Sequence, residues 1–152
     1  MPLETPVGLI GTSICFDLRF PQLSTILRKL GAHILTYPSV FTVPTGKAHW
    51  EVLLRARAIE NQCYVVAAAQ VGTHNEKRSS YGHSMVVDPW GKVLVDCGEE
   101  SPSLKVVEID LDYLNEVRHS MPILNSFRND LYLQMPITKS NHFLLIVNKF
   151  SF

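Results

Sequence analysis

The chain is short of cysteine, of charge of one sign and of long apolar runs, and each shortage removes a class of protein. Its three cysteines, Cys15, Cys63 and Cys97, lie far apart, match no CxxC spacing and are odd in number. That argues against a disulfide framework and a zinc knuckle, and it suits a reducing compartment. Fourteen basic residues balance fourteen acidic ones, so no long-range field draws the chain to nucleic acid or to an anionic membrane. Arg28-Lys29 and Lys77-Arg78 are the only adjacent basic pairs, too few for a basic arm. No stretch approaches the roughly eighteen apolar residues of a spanning helix, and "FLLIV" near the end has only a strand's length. The opening "MPLETPVGLIG" has no basic region and too short an apolar run for a signal peptide. No HxH or HxxxH spacing offers a metal site and no GxGxxG or GxxxxGK loop a nucleotide site, so neither metal nor cofactor is expected.

What is present suits one α/β domain. At 152 residues and 46% hydrophobic content the chain can fill a core. Val7 to Ile14 reads as a buried strand, Pro21 to Gly31 as a helix with proline in its first turn and glycine as its stop, and His33 to Tyr37 as a second strand. This strand-helix-strand order favours parallel pairing through a right-handed crossover. The spacing then predicts a helix over Ala48 to Gln62, with Val52, Ala56, Ile59 and Cys63 on one face and Glu51 and Arg55 as an i,i+4 pair. "CYVVAAAQV" reads as a strand covered on both faces. "GHSMVVDPWGKVLVDC" reads as a hairpin turning at Asp88-Pro89-Trp90-Gly91. Leu104 to Ile109 is expected as a further strand, leading into a short helix from Leu111 to about Arg118. The order predicts a mixed sheet with helices layered on it. Strands of unbroken apolar character need cover on both faces, and three helices are few for that.

In "GTSICFDLRFP" a thiol stands where an apolar strand stops, with Asp17 and Arg19 close behind it and Pro21 opening a helix. One reading makes Cys15 a nucleophile on a sharp strand-to-helix turn, with the following backbone N–H directed at the same spot and Arg19 favouring a thiolate. The other makes it one more small buried hydrophobe. A Cys-His pair with His49 or His83 is the competing mechanism, set against ordinary structural histidines.

"ICFDLRFPQL", "LTYPSVFTVPTGKAHWEVLLRARAIENQCYVVAAAQVG" and "EKRSSYGHSMVVDPWGKVL" together resemble the carbon-nitrogen hydrolase (nitrilase) superfamily, and within it the deaminated glutathione amidase branch. The likeness runs from about Val7 to Tyr132. It implies a partial α-β-β-α sandwich of nitrilase type, the C-terminal half of that fold, over residues 1–132, followed by an unmatched tail, 133–152. It also implies that Cys15 attacks an amide carbonyl, that ammonia leaves, and that water then hydrolyses a thioester. In the family a glutamate is the general base, and a lysine and the N–H after the cysteine, here that of Phe16, stabilise the oxyanion. By the same likeness Phe41 and Thr45 line the substrate pocket, while Arg19 and Glu60 are members of structural ion pairs. The implied partner is a small ω-amide substrate, with self-association or pairing with a full-length subunit.

The departure from the pattern is specific. The family's lysine and two glutamates precede its cysteine, whereas the fourteen residues before Cys15 contain Glu4 and no lysine. Glu4 lies in the wrong motif context. The expectation is an amidase represented by a truncated form that is inactive as it stands, or else a non-catalytic form able only to pair with an intact subunit. The tail, with its β-prone "HFLLIVNKF", is expected to derive from altered splicing. A cytoplasmic location is expected, with a mitochondrial one for a longer form carrying a presequence.

Overall fold

In the computed structural model, which describes residues 1–99, 101–128 and 130–132, the first apolar run is one arm of a hairpin. Strand β1 (Leu3–Thr5) pairs antiparallel with β2 (Gly8–Thr12), and the Thr5 hydroxyl donates to the Gly8 carbonyl at 2.6 Å. Helix α1 (Pro21–Lys29) carries its proline in the first turn, where an absent N–H costs no helical bond. Gly31, at φ +101°, reverses the chain into β3 (Ile34–Thr36), which lies parallel to β2 as the crossover rule requires. Helix α2 (Val43–Asn61) then leads to β4 (Tyr64–Ala67), parallel to β3.

The remaining strands are antiparallel. A two-stranded side sheet, β5 (Val71–Asn75) and β6 (Arg78–Tyr81), precedes the hairpin of β7 (Met85–Val87) and β8 (Val93–Asp96). The turn of that hairpin closes as the sequence predicts, with the Gly91 N–H on the Asp88 carbonyl at 3.0 Å. The Asp88 carboxylate also accepts from the Trp90 and Lys92 N–H groups, both at 2.9 Å. Helix α3 (Leu111–Ser120) is capped by Asp110, whose side chain accepts from the Tyr113 N–H. The main sheet runs β1-β2-β3-β4-β7-β8. No helix among the described residues is long and apolar enough to cross a membrane.

The two faces of this sheet are covered unequally. One carries α1 and α2 over a continuous core that includes Leu27, Leu35, Tyr37, Trp50, Leu54 and Val65. The Tyr37 hydroxyl, buried there, meets the Ser24 hydroxyl of α1 at 2.6 Å, so burial of a polar group costs no lost hydrogen bond. The other face has a small cluster around Ile34, Tyr64 and Leu114, covered among the described residues by α3 and its approach at Ile109. Ile14 is 63% exposed at its edge.

Three expectations need correction. Helix α2 starts at Val43, because Pro44 belongs to its first turn and not to a preceding loop. Its buried face is that of Gly46, Trp50, Leu54, Arg57, Ala58 and Asn61, whereas Val52 and Ile59 are exposed. Apolar residues stand all round this helix, so periodicity could not choose a face. Steric fit did: a Cβ on Gly46 would lie 2.2 Å from the Tyr81 ring, so the helix meets β6 only with no side chain there. Leu104 to Ile109 forms no strand, and Leu104 and Val106 are almost fully exposed. The tail 133–152 lies outside the described residues.

Gly46→Ala should therefore destabilise the protein, although alanine ordinarily favours a helix interior by about 0.5–1 kcal/mol. The clash with Tyr81 costs about 1–3 kcal/mol and outweighs that gain. A lower urea midpoint for the variant is the expected result. A second expectation concerns acid. His33 Nδ1 accepts the Leu9 N–H at 3.1 Å, which only a neutral ring can do, and burial, with Arg118 and Arg28 nearby, holds its pKa below the ordinary 6.5. The unfolded chain then takes the proton first as pH falls. Stability is full above pH 6.5 and declines as pH drops toward the folded-state value. Urea midpoints at about pH 7.5 and about pH 5.5 should differ more for the native chain than for His33→Gln.

Candidate active site

Strand β2 ends at Thr12, and Cys15 opens a tight 3-10 turn, Cys15–Arg19, before α1 begins. Cys15 has φ +43°, in the left-handed region that costs a non-glycine residue free energy and needs outside support. That support comes from three sides. The Cys15 N–H donates to the Pro38 carbonyl at 3.0 Å, tying the turn to the chain beyond β3. The Asp17 carboxylate accepts the Ile14 N–H at 2.9 Å, while the Asp17 N–H donates to the Ile14 carbonyl at the same distance. From α2, Arg57 donates Nε and Nη2 to the Leu18 carbonyl at 3.0 and 2.7 Å. Its Nη1 meets Glu60 at 2.9 Å, so this buried guanidinium is paired and its charge offset.

The result is a half-exposed thiol on an over-determined turn. Cys15 lines a cleft of about 450 Å³ with Pro38, Val40, Ala68, Gln70 and Ser84. The N–H of Phe16, the next donor along the chain, has no acceptor among the described residues. An electrophilic carbonyl at Cys15 would find a nucleophile and an unused backbone donor in sequence, the arrangement that acyl transfer requires.

The other candidates take varied places. The Phe16 ring is exposed and packs edge-on against Phe20. Phe41 is buried against Trp50 at 4.7 Å between ring centres, and the Thr45 hydroxyl is bonded to Thr42 in the first turn of α2. Neither lines the Cys15 cleft. Arg19 forms no ion pair with an acid among the described residues; it lies over the Phe16 and Phe41 rings, at 5.5 and 5.4 Å, beside His49. Glu60 is in an ion pair, as expected, and its partner is Arg57. Glu4 is exposed on β1.

Neither candidate histidine bonds to the Cys15 thiol. His49 faces Arg19, while His83, at φ +59°, puts Nδ1 on the Asp96 carboxylate at 2.9 Å and stacks on Tyr81. Sequence reasoning overlooked Asp17 and Arg57 as supports of the turn. An acid two residues after Cys15 was a visible signal for the first. For Arg57 there was no local signal, since the helix also carries Lys47, Glu51, Arg55 and Glu60.

With the geometry in place, comparison with known proteins is specific. A profile of the Carbon-nitrogen hydrolase family matches residues 1–119. Human deaminated glutathione amidase is 61% identical over 131 residues, covering 86% of this chain and 40% of that protein. The crystal structure of the Caenorhabditis elegans NitFhit protein superposes with a TM-score of 0.81 at 58% identity, covering 87% of this chain and 32% of that one. A variant of the amidase from Nesterenkonia sp. AN1, described with acrylamide added at its active-site cysteine, matches at 28% identity and a TM-score of 0.64, covering 84% and 48%. The chain thus spans less than half the length of each of these relatives.

The three thiols should separate under alkylation. Cys63 is wholly buried and burial raises its pKa, so it offers almost no thiolate. In the native protein iodoacetamide should modify Cys15 first, Cys97 more slowly and Cys63 only on unfolding, as read by peptide mass spectrometry. Equal labelling of Cys15 and Cys97 would remove the local case for an activated thiol.

Proposed function

The chain belongs to the carbon-nitrogen hydrolase family, and from that membership we propose that it is the nucleophile-bearing part of an amidase acting on a small ω-amide such as deaminated glutathione. The observation that carries this reading is Cys15 itself, a positive-φ thiol at the end of a parallel strand, followed by an unused N–H. Its thiolate attacks the amide carbon. The Phe16 N–H donates to the developing oxyanion as the carbonyl bond opens. Collapse of the tetrahedral adduct expels the nitrogen, which leaves protonated, and the acyl group remains on sulfur. Water then cleaves the thioester, so that amide and water give carboxylate and amine or ammonia. Phe41, just before α2, and Thr45, in its first turn, lie outside the Cys15 cleft, so their part in holding substrate is indirect, that of Phe41 through the Arg19 guanidinium over its ring.

Among the described residues, two groups that this chemistry calls for are not supplied at the cleft. No lysine precedes Cys15, and Glu4 does not line the cleft. A general base contributes about 10²–10⁴-fold and an oxyanion donor about 10²–10³-fold, so the chain alone should turn over amides near background. The sheet face covered among the described residues by α3 and its approach favours the companion reading, in which this polypeptide functions against a second, intact amidase subunit.

Complementation tests both parts. The chain should be co-expressed with the segment of human deaminated glutathione amidase that precedes its matching region, and amide hydrolysis measured on the purified pair. Turnover that appears on pairing and vanishes with Cys15→Ala is the expected outcome. Turnover that survives Cys15→Ala would overturn the assignment, because no other group on the turn can form the thioester.

A further inference from the structure

At the rim opposite Cys15, where parallel β3 and β4 begin, three donor side chains come together and no acid joins them. Arg118, in the last turn of α3, donates Nε to the Gln62 carbonyl at 3.0 Å and Nη2 to the Ala32 carbonyl at 2.8 Å, and Nη2 also meets the Cys63 sulfur at 3.4 Å. Its Nη1 has no partner among the described residues. Ala32 stands four residues past Arg28, in the last turn of α1, and directly before His33. The His33 Nδ1 accepts the Leu9 N–H at 3.1 Å, so the proton of its neutral ring is on Nε2, a donor with no acceptor among the described residues.

Arg28 is the group that the fold does not explain. Its Nε is sealed from solvent without a hydrogen-bond partner, and the guanidinium enters no ion pair among the described residues. Arg118 lies near enough to repel it, and both oppose a positive charge on His33. A buried donor left unmatched is costly, and two guanidinium charges brought together add to that cost. The carboxyl ends of α1 and α3 draw cations to this corner, and the Gln62 and Ala32 carbonyls give Arg118 a structural task. Neither explains a second guanidinium beside the first with its Nε orphaned, a pattern that points to a missing acceptor.

We infer that Arg28, Arg118 and His33 form an anion site that takes a phosphate group, free or esterified, at the rim of the sheet opposite the thiol. Three elements supply its donors: the end of α1, the turn into β3 and the end of α3. A dianionic phosphate matches two guanidinium charges and has an oxygen for each donor, whereas a carboxylate brings one charge and two oxygens. None of the three residues lines the Cys15 cleft, so the inference stands apart from the amidase reading.

Binding is measured on the full chain by equilibrium dialysis of radiolabelled inorganic phosphate, and by urea midpoints in phosphate, acetate and chloride at matched ionic strength. Phosphate should bind the native chain and raise its midpoint above those in acetate and chloride. Arg28→Gln removes a side chain that bonds to no other part of the described fold and should weaken phosphate binding about tenfold, the order of one lost hydrogen bond to a charged group. Arg28→Lys, which keeps the charge and loses the fork, should fall between the two. Stronger competition by phenyl phosphate than by unlabelled phosphate would assign the site to an esterified group, and the reverse order to the free ion; both support it. An equal rise of the midpoint in the native chain and in Arg28→Gln is the general action of an excluded salt and would overturn the site. Acetate competing as well as phosphate would overturn the phosphate assignment, and failure of the native chain to bind phosphate would overturn the inference whatever the variants do.

Discussion

The contact on which the rest of this structure depends is that of the Arg57 guanidinium with the carbonyl of Leu18. A charge buried inside a helix-sheet layer is costly unless it is paired and hydrogen-bonded. Here it is both, through two bonds to one carbonyl and a third to Glu60. The contact fixes the middle of the cysteine turn to the middle of α2. Because α2 is itself seated by the glycine contact between Gly46 and Tyr81, the turn inherits the rigidity of the core. A thiol at positive φ is thereby held in part by contacts, those of Arg57 and Gly46, that lie outside the cleft. The strain at Cys15 persists because the surroundings over-determine it.

Sheet topology does the rest of the positioning. Parallel β2, β3 and β4 all deliver their carboxyl ends to one rim, which is where open α/β sheets gather their ligand-binding groups. Cys15, Ser39 and Gln70 lie along that rim on three successive chains. Hydrogen bonds that outlast the regular strands keep their spacing, so the Cys15 thiol and a polar side chain two chains away share one cleft. The side sheet of β5 and β6 closes the far end and brings His74 and His83 to a second chamber beside the first.

How far this could be read from the sequence depended on whether the signal was local. The strand-helix-strand opening, the Asp88–Gly91 turn and the position of Cys15 at a strand end were legible because proline, glycine and β-branched runs act over a few residues. The buried face of α2 was not, since Val52 and Ile59 are as apolar as Leu54 and Ala58 and only the fit of Gly46 against Tyr81 decides between them. Leu104 to Ile109 has the composition of a strand but no neighbour to pair with, and β-propensity without a partner does not make one. At the site, Cys15 stood out in a motif. Arg57 did not, because its role is set by contacts between elements distant in the chain.

The unequal covering of the sheet bears on where chemistry can occur. One face is sealed by α1 and α2 over a continuous core, while Ile10, Val66 and Leu94 on the other are covered among the described residues by α3 and its approach. Cys15 packs against the sealed core and its turn is anchored there through Arg57, while its neighbour Ile14 is exposed and lines the cleft with it. The thiol is reached through the cleft, whose lining among the described residues carries no acid, lysine, arginine or histidine, and a base or oxyanion donor would have to be brought there. The turn that carries the Cys15 thiol is thus held from the helical layer, and the cost of positive φ at Cys15 is borne there, independently of what occupies the cleft.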